Sequence, residues 1–181
     1  MKNKIILVTG TSSGIGKSII QTLNKKNCKI IATSRKKINK NTKNIYFLNL
    51  DVTNEDQWKE TIYFIKKKFG KLDVLINNAG IRISGNIENT STKLWDKIIN
   101  TNLTSIFLGC KYAVPLLKKS KKASIVNLAS ITSIRGVTNM IAYASSKGAI
   151  VTFTASLALD LAKHGIRVNA VAPGAVNTKM V

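Results

Sequence analysis

Ser130, Tyr143 and Lys147 have the residue types and the spacing to move a proton on and off an oxygen bound to carbon. Tyr143 and Lys147 are four apart, and residues so spaced share one face of a helix, which sets an ammonium beside a phenol. A neighbouring cation favours a phenolate, and this makes tyrosine a usable proton donor and acceptor near neutral pH. Ser130 ends the apolar run 123–129, so it stands at the carboxyl end of a strand and can hold a carbonyl oxygen against that phenol. Such a set suits carbonyl reduction or alcohol oxidation. A tyrosine four residues before a lysine is also common in ordinary helices, with the ring packed and the ammonium solvated. The weight therefore comes from what stands upstream.

Upstream, strands and helices alternate. Apolar runs predict strands over Ile5–Thr9, 29–33, 45–50, 72–77, 123–129 and 166–172. Helical periodicity predicts helices over 14–26, 54–69 and 91–118, and a further one carrying Tyr143 and Lys147 to about residue 163. Strands alternating with helices imply an α/β fold, a doubly wound parallel sheet of about six strands with helices on both faces and right-handed crossovers.

The junction of the first strand and helix reads Thr9-Gly10-Thr11-Ser12-Ser13-Gly14-Ile15-Gly16. Glycines there allow a tight turn and close approach of backbone to a pyrophosphate, while the helix start supplies amides and a favourable dipole. The spacing is G-x-x-x-G-x-G, not the G-x-G-x-x-G of the general dinucleotide fingerprint. At the end of the second strand, Ser34 and Arg35 stand where an acid would accept from the 2′-hydroxyl of NAD. With no acid present, a hydroxyl and a guanidinium favour a 2′-phosphate, so NADP(H) is the expected cofactor and NAD(H) the alternative. Asp51-Val52 ends the third strand and Asn77-Asn78-Ala79-Gly80 the fourth, on the edge where open α/β sheets bind ligands. Asp51 is equally a turn or helix-cap residue.

A chain of 181 residues suits one domain, 1–181. It has no apolar run of the roughly 18 residues a membrane span needs. Without a secretory leader, and with Cys28 and Cys110 lacking metal or disulfide spacing, it is expected in the cytoplasm. The net charge of +21 suggests nucleic acid, anionic membrane or an acidic protein as partners. The lysines are spread through nearly every helix, however, without a stripe of interleaved aromatics, which argues against nucleic acid and for compositional drift.

In this order and spacing the chain resembles the short-chain dehydrogenase/reductase family over essentially its whole length. The matching residues are Thr9-Gly10, Gly14-Ile15-Gly16, Asp51-Val52, Asn77 to Gly80, Asn102, Ser130, Tyr143, Lys147 and Pro173-Gly174. The resemblance implies a Rossmann-like fold and hydride transfer between NAD(P) and a carbonyl or alcohol. It makes Tyr143 the general acid/base, Ser130 the residue orienting the substrate oxygen, and Lys147 the ligand of the nicotinamide ribose. Asn102 is implied to bind a water linking Lys147 to solvent. Asp51 and Val52 are implied to contact adenine, and Asn78, Ala79 and Gly80 to line the nicotinamide side. Beyond Pro173 and Gly174, Val176 and Thr178 are implied to meet the carboxamide and phosphates. Family members usually run several tens of residues past Pro-Gly, so a missing last strand, an open edge at the sixth strand and an incomplete substrate pocket are expected. A catalytically impaired, cofactor-binding relic is the matching alternative. Part of the family reduces 3-oxoacyl groups on acyl carrier protein, an acidic partner for a basic surface to which Lys121, Lys122 and His164 could contribute near the active-site side, His164 being more simply a surface residue near a helix C-terminus. Sugar, steroid and small-alcohol dehydrogenases are the alternatives. The family also implies a homodimer through helices 91–118 and 143–163.

Overall fold

The structure is a computed structural model that describes residues 3–36 and 41–178. Six strands form one parallel sheet: β1 (Ile5–Thr9), β2 (Lys29–Ser34), β3 (Ile45–Asn49), β4 (Val74–Asn77), β5 (Ser124–Leu128) and β6 (Arg167–Val171). Their spatial order is β3-β2-β1-β4-β5-β6. The direction of winding reverses between β1 and β4, and such a reversal opens a crevice at the carboxyl ends of the strands. Register sets Thr9 beside Thr33, and Ile76 beside Val126.

The helices are α1 (Gly14–Asn24), α2 (Glu55–Phe69), α3 (Thr92–Ile99), α4 (Ser105–Leu117) and α5 (Ile141–Ala162). Local chemistry fixes their ends. The Asn54 side chain accepts from the Gln57 amide at 3.0 Å, and Gly70 closes α2 with φ of 71°. Glu55 and Asp56 lie in the first turn of α2 and Lys66, Lys67 and Lys68 in its last, each sign matching the helix dipole. One apolar cluster joins Leu7, Leu75 and Ile125 of the sheet to Trp58, Ile106 and Ile150 of the helices. A smaller cluster joins Ile6, Val8 and Ile30 to Ile20 of α1. Burial in the two clusters accounts for strands that read as continuous apolar runs.

Two expectations are corrected and one is met. The helix expected over 91–118 is divided by a π-helical turn, Asn100–Thr104, between α3 and α4. Periodicity cannot show this, because a π turn adds one residue without changing the apolar content. β6 is indeed an edge strand, with Arg167, Asn169 and Val171 exposed. Lys121, Lys122 and His164, expected near the active-site side, lie instead at the opposite edge. They precede β5 and β6, whose amino ends point away from the crevice in a parallel sheet. The Lys4 ammonium, at the start of β1, donates to the Lys122 carbonyl at 3.3 Å. Among the described residues no helix is long and apolar enough to cross a membrane.

Candidate active site

At the crevice, the glycine loop between β1 and α1 is held by its neighbours through the backbone. Gly10 and Gly14 have φ of 69° and 52°, conformations that suit glycine. A Cβ on Gly16 would lie 2.2 Å from the Gly10 carbonyl oxygen and 2.5 Å from Nδ2 of Asn78, so α1 can start here only with glycine. Asn78 Nδ2 donates to the carbonyls of Thr9 and Gly10 at 2.9 and 3.0 Å. Thr9 Oγ1 accepts from the amides of Asn78 and Ala79, both at 3.0 Å. The Thr11 amide donates to the Thr33 carbonyl at 3.0 Å, tying the loop to β2. Ser13 precedes α1 in extended conformation and its side chain does not cap the helix; no acid stands in the first turn. The first amides of α1 therefore keep both their hydrogen-bonding capacity and their positive potential for an anion.

The second half of the site hangs on β5 and α5. Ser130 is buried, and its Oγ accepts from the Thr132 amide at 3.2 Å within the 3₁₀ turn Ile131–Ser133. That bond uses an oxygen lone pair and leaves the hydroxyl proton of Ser130 for another acceptor. Tyr143 and Lys147 stand on the first turns of α5, both buried, with the Lys147 ammonium 5.8 Å from the phenol ring centroid. Lys147 Nζ donates to the Leu128 carbonyl at 2.6 Å. Burial pushes the Lys147 ammonium down to about 8.

Asn102 sits inside the π turn, completely buried. Its Oδ1 accepts from the Ile81 amide at 2.8 Å, and its Nδ2 donates to the Ile81 carbonyl at 2.9 Å and to Ser146 Oγ at 3.0 Å. Ser146 Oγ in turn donates to the Tyr143 carbonyl at 2.7 Å. A Cβ on Gly80 would approach Asn102 Oδ1 to 3.2 Å and Lys147 Nζ to 3.6 Å, so the end of the β4 loop passes directly over both.

One cavity of about 350 Å³ joins the two halves. Ser13, Gly14, Ile15 and Gly16 line it from the loop, and Asn78 and Gly80 from the end of β4. Ser130, Tyr143 and Lys147 form its far wall, and Pro173, Gly174, Val176 and Thr178 close one side. Thr178 folds back to the loop, within 3.3 Å of where a Cβ on Gly14 would be. Gly10, Ser12, Ser34, Arg35, Asp51, Val52, Ala79 and Asn102 do not line the cavity. Of these, Gly10, Ala79 and Asn102 lie behind its wall, while Ser34 ends β2 and Ser12, Arg35, Asp51 and Val52 follow β1, β2 and β3 at the same edge. Ser34 is buried and donates to the Lys36 carbonyl at 2.6 Å, whereas Arg35 is exposed. Asp51 accepts from the amide and hydroxyl of Thr53 at 3.0 and 2.8 Å, a turn-forming pattern. Val52 is buried, and its carbonyl accepts from the Trp58 indole.

Sequence reasoning did not single out Ile81, Met140 or Ser146. Ser146 carried a signal, being three residues from Tyr143 on the same helix, but Ile81 and Met140 are reached only through folding. Met140 meets the loop after β4 by a bridge to Gly85.

A family model described as short chain dehydrogenase matches residues 4–181. Cyclopentanol dehydrogenase of a Comamonas species is 35% identical over 99% of this chain and 76% of its own length. The 3-oxoacyl-acyl-carrier-protein reductase FabG of Buchnera aphidicola is 39% identical, over 98% of this chain and 75% of its own. The solved structure of ElxO with NADP bound has a TM-score of 0.90 at 39% identity and covers 99% of this chain and 76% of its own. The matched length takes in the glycine loop and the buried serine, tyrosine and lysine of the crevice, and the chain belongs to the short chain dehydrogenase family of oxidoreductases.

Proposed function

We propose that the chain, read as one NAD(P)-binding domain, interconverts a carbonyl and a secondary alcohol by hydride transfer with NADP(H). The observation that carries this reading is the cavity in which the glycine loop faces Ser130, Tyr143 and Lys147. The residues present fit a dinucleotide: the helix start is free of side-chain caps and acids, and the glycines leave room for a pyrophosphate against the backbone. When bound, the nicotinamide supplies or accepts the hydride. Ser130 keeps its hydroxyl proton for the substrate oxygen, because the Thr132 amide occupies a lone pair. Tyr143 delivers a proton to that oxygen in reduction and takes it back in oxidation. Lys147, anchored on the Leu128 carbonyl, places a positive charge beneath the phenol and beside Gly80, where a ribose would lie. Asn102 commits its amide to Ile81 and Ser146 and so locks the loop after β4 against α5.

Preference for NADP(H) rests on Arg35, exposed after β2 with no acid nearby in sequence, and is supported by the NADP bound in ElxO. Ser34 contributes less, its hydroxyl being turned to Lys36. The 3-oxoacyl reductase among the relatives supports an acyl-carrier-bound substrate, and cyclopentanol dehydrogenase supports a small cyclic alcohol. Phe107 on α4 and Val151 and Leu159 on α5 are exposed, which supports a homodimer through these helices. Thermal unfolding with saturating NADPH, and with NADH beside it, tests the binding half. Ligand at about a hundred times its Kd stabilises by roughly 2.7 kcal/mol. A shift with NADPH that Arg35→Ala removes, with NADH little affected, is expected. No shift with either cofactor refutes the reading. Tyr143→Phe should keep the shift and lose turnover.

A further inference from the structure

Thr132 lines the same cavity as Ser130 and Tyr143, yet its Oγ1 is shut off from solvent and has no hydrogen-bond partner among the described residues. Buried hydroxyls in folded proteins are nearly always paired, so an orphan in a site wall calls for a partner that the described residues do not supply. The neighbouring polar groups on this turn are already engaged. Ser133 Oγ donates to the Ser130 carbonyl, and the Thr132 amide holds Ser130 Oγ. A threonine carries its hydroxyl and methyl on one carbon, and a single step of about 120° in χ1 brings the hydroxyl to the staggered position the methyl held, the methyl moving on to the position of the hydrogen. Here that step needs no hydrogen bond to break.

We propose that Thr132 turns its hydroxyl into the cavity to bind a second oxygen of the substrate, within two carbons of the carbonyl that Ser130 and Tyr143 hold. This inference rests on the proposed carbonyl chemistry and narrows its substrate to hydroxy- or oxo-substituted carbonyl compounds. The hydroxyl can donate to an oxo group or accept from a hydroxyl, so both kinds of second oxygen are served. Thr132 and Ser130 belong to one tight turn, which limits the distance between the two oxygens they can grip. Ile131, Val137 and Met140 present apolar side chains around that turn, and Arg82 also lines the cavity.

Thr132→Val keeps the shape and removes the hydroxyl; Thr132→Ser keeps the hydroxyl and removes the methyl. Both are compared with the parent protein in steady-state NADPH oxidation on two matched pairs. One pair is 2-hydroxycyclohexanone and cyclohexanone, the other a 3-oxo ester and the ketone lacking the ester. In at least one pair, Thr132→Val should lose about ten- to a hundredfold in kcat/KM on the oxygenated member relative to the plain one, as expected for a site that hydrogen-bonds its substrate. Thr132→Ser should restore the preference. An equal effect of Thr132→Val on both members of both pairs overturns the proposal, as does failure of Thr132→Ser to restore discrimination. A purely structural role would shift both members alike. If the parent protein turns over none of the four while NADPH still raises its Tm, the proposed carbonyl chemistry fails and this inference falls with it. A parent active on these substrates, with variants that do not discriminate, refutes the role of Thr132 alone.

Discussion

Lys147 illustrates how little of a residue's behaviour follows from its place in a motif. Its spacing from Tyr143 is plain in the sequence, and so is the strand end that carries Ser130. Its bond to the Leu128 carbonyl is not, because that depends on how α5 lies against β5. Burial there lowers the ammonium to about 8, below its unfolded value of about 10.4. The unfolded chain therefore binds more protons between roughly pH 8 and 10, and this group's contribution to stability rises with pH across that window. Activity should run the other way. As Lys147 loses its charge, kcat/KM, which reports the free enzyme, should fall above about pH 8. A profile that stays flat to pH 10 while the protein remains folded would remove Lys147 from the mechanism. Gly16 is a second case in which one atom decides. Its Cβ in Gly16→Ala would sit 2.2 Å from the Gly10 carbonyl, and forced shifts of this kind cost about 1–3 kcal/mol. A lower Tm together with a weakened NADPH shift is expected; an unchanged shift would mean that the loop does not cradle the cofactor.

Among the elements, the helix starts near 54 and 91 were legible and the π turn was not. Asn54, Gly70 and Ser91 mark helix ends through their own side chains or backbone, which single residues announce. The turn at Asn100–Thr104 is announced by nothing in the apolar pattern, yet it places Asn102 in the interior. Hydroxyls help to satisfy the loosened carbonyls, Thr101 Oγ1 donating to Lys97 and Ser105 Oγ to Thr101. Asn102→Ala would remove the partners of the half-buried amide and carbonyl of Ile81, and each hydrogen bond lost costs about 1 kcal/mol. Asn54→Ala, at a residue that does not line the cavity, should cost about 1 kcal/mol through its lost cap. Circular dichroism melts should show both losses. Turnover measured well below either Tm should fall only for Asn102→Ala; equal turnover in the two variants would reduce the π turn to a packing detail.

At the scale of the molecule, strand and helix alternation was enough to foresee the parallel sheet, while assigning charges to its two edges required knowing which way each strand runs. The edge remote from the crevice gathers around Asp73. The Asp73 carboxylate accepts from the Ile5 amide, from Ser120 and from the ammonium groups of Lys4 and Lys71, and so joins β1, β4 and the segment after α4. Burial raises this carboxyl, but the bonds from Ser120, Ile5 and Lys71 and the charge of Lys4 outweigh it and hold it below the ordinary range. The stability it contributes is present above the unfolded value of about 3.9 and is lost as pH falls through the lower folded value. Asp73→Asn should therefore be less stable at pH 7 and lose less on acidification than the parent, as urea unfolding at pH 7 and pH 3 would show. Parallel losses in the two proteins would assign the acid sensitivity elsewhere. The opposite edge has another character. Between Ser130 and α5 the chain is exposed through Ile134 and Val137, yet pinned at both ends, the Ile131 amide to the Pro173 carbonyl and the Gly85 amide to the Asn139 carbonyl. Neither clamp uses a side chain. Substitutions between them can accumulate without disturbing the sheet or the glycine loop, which leaves a descendant of this chain free to change its diet of substrates while inheriting its cofactor intact.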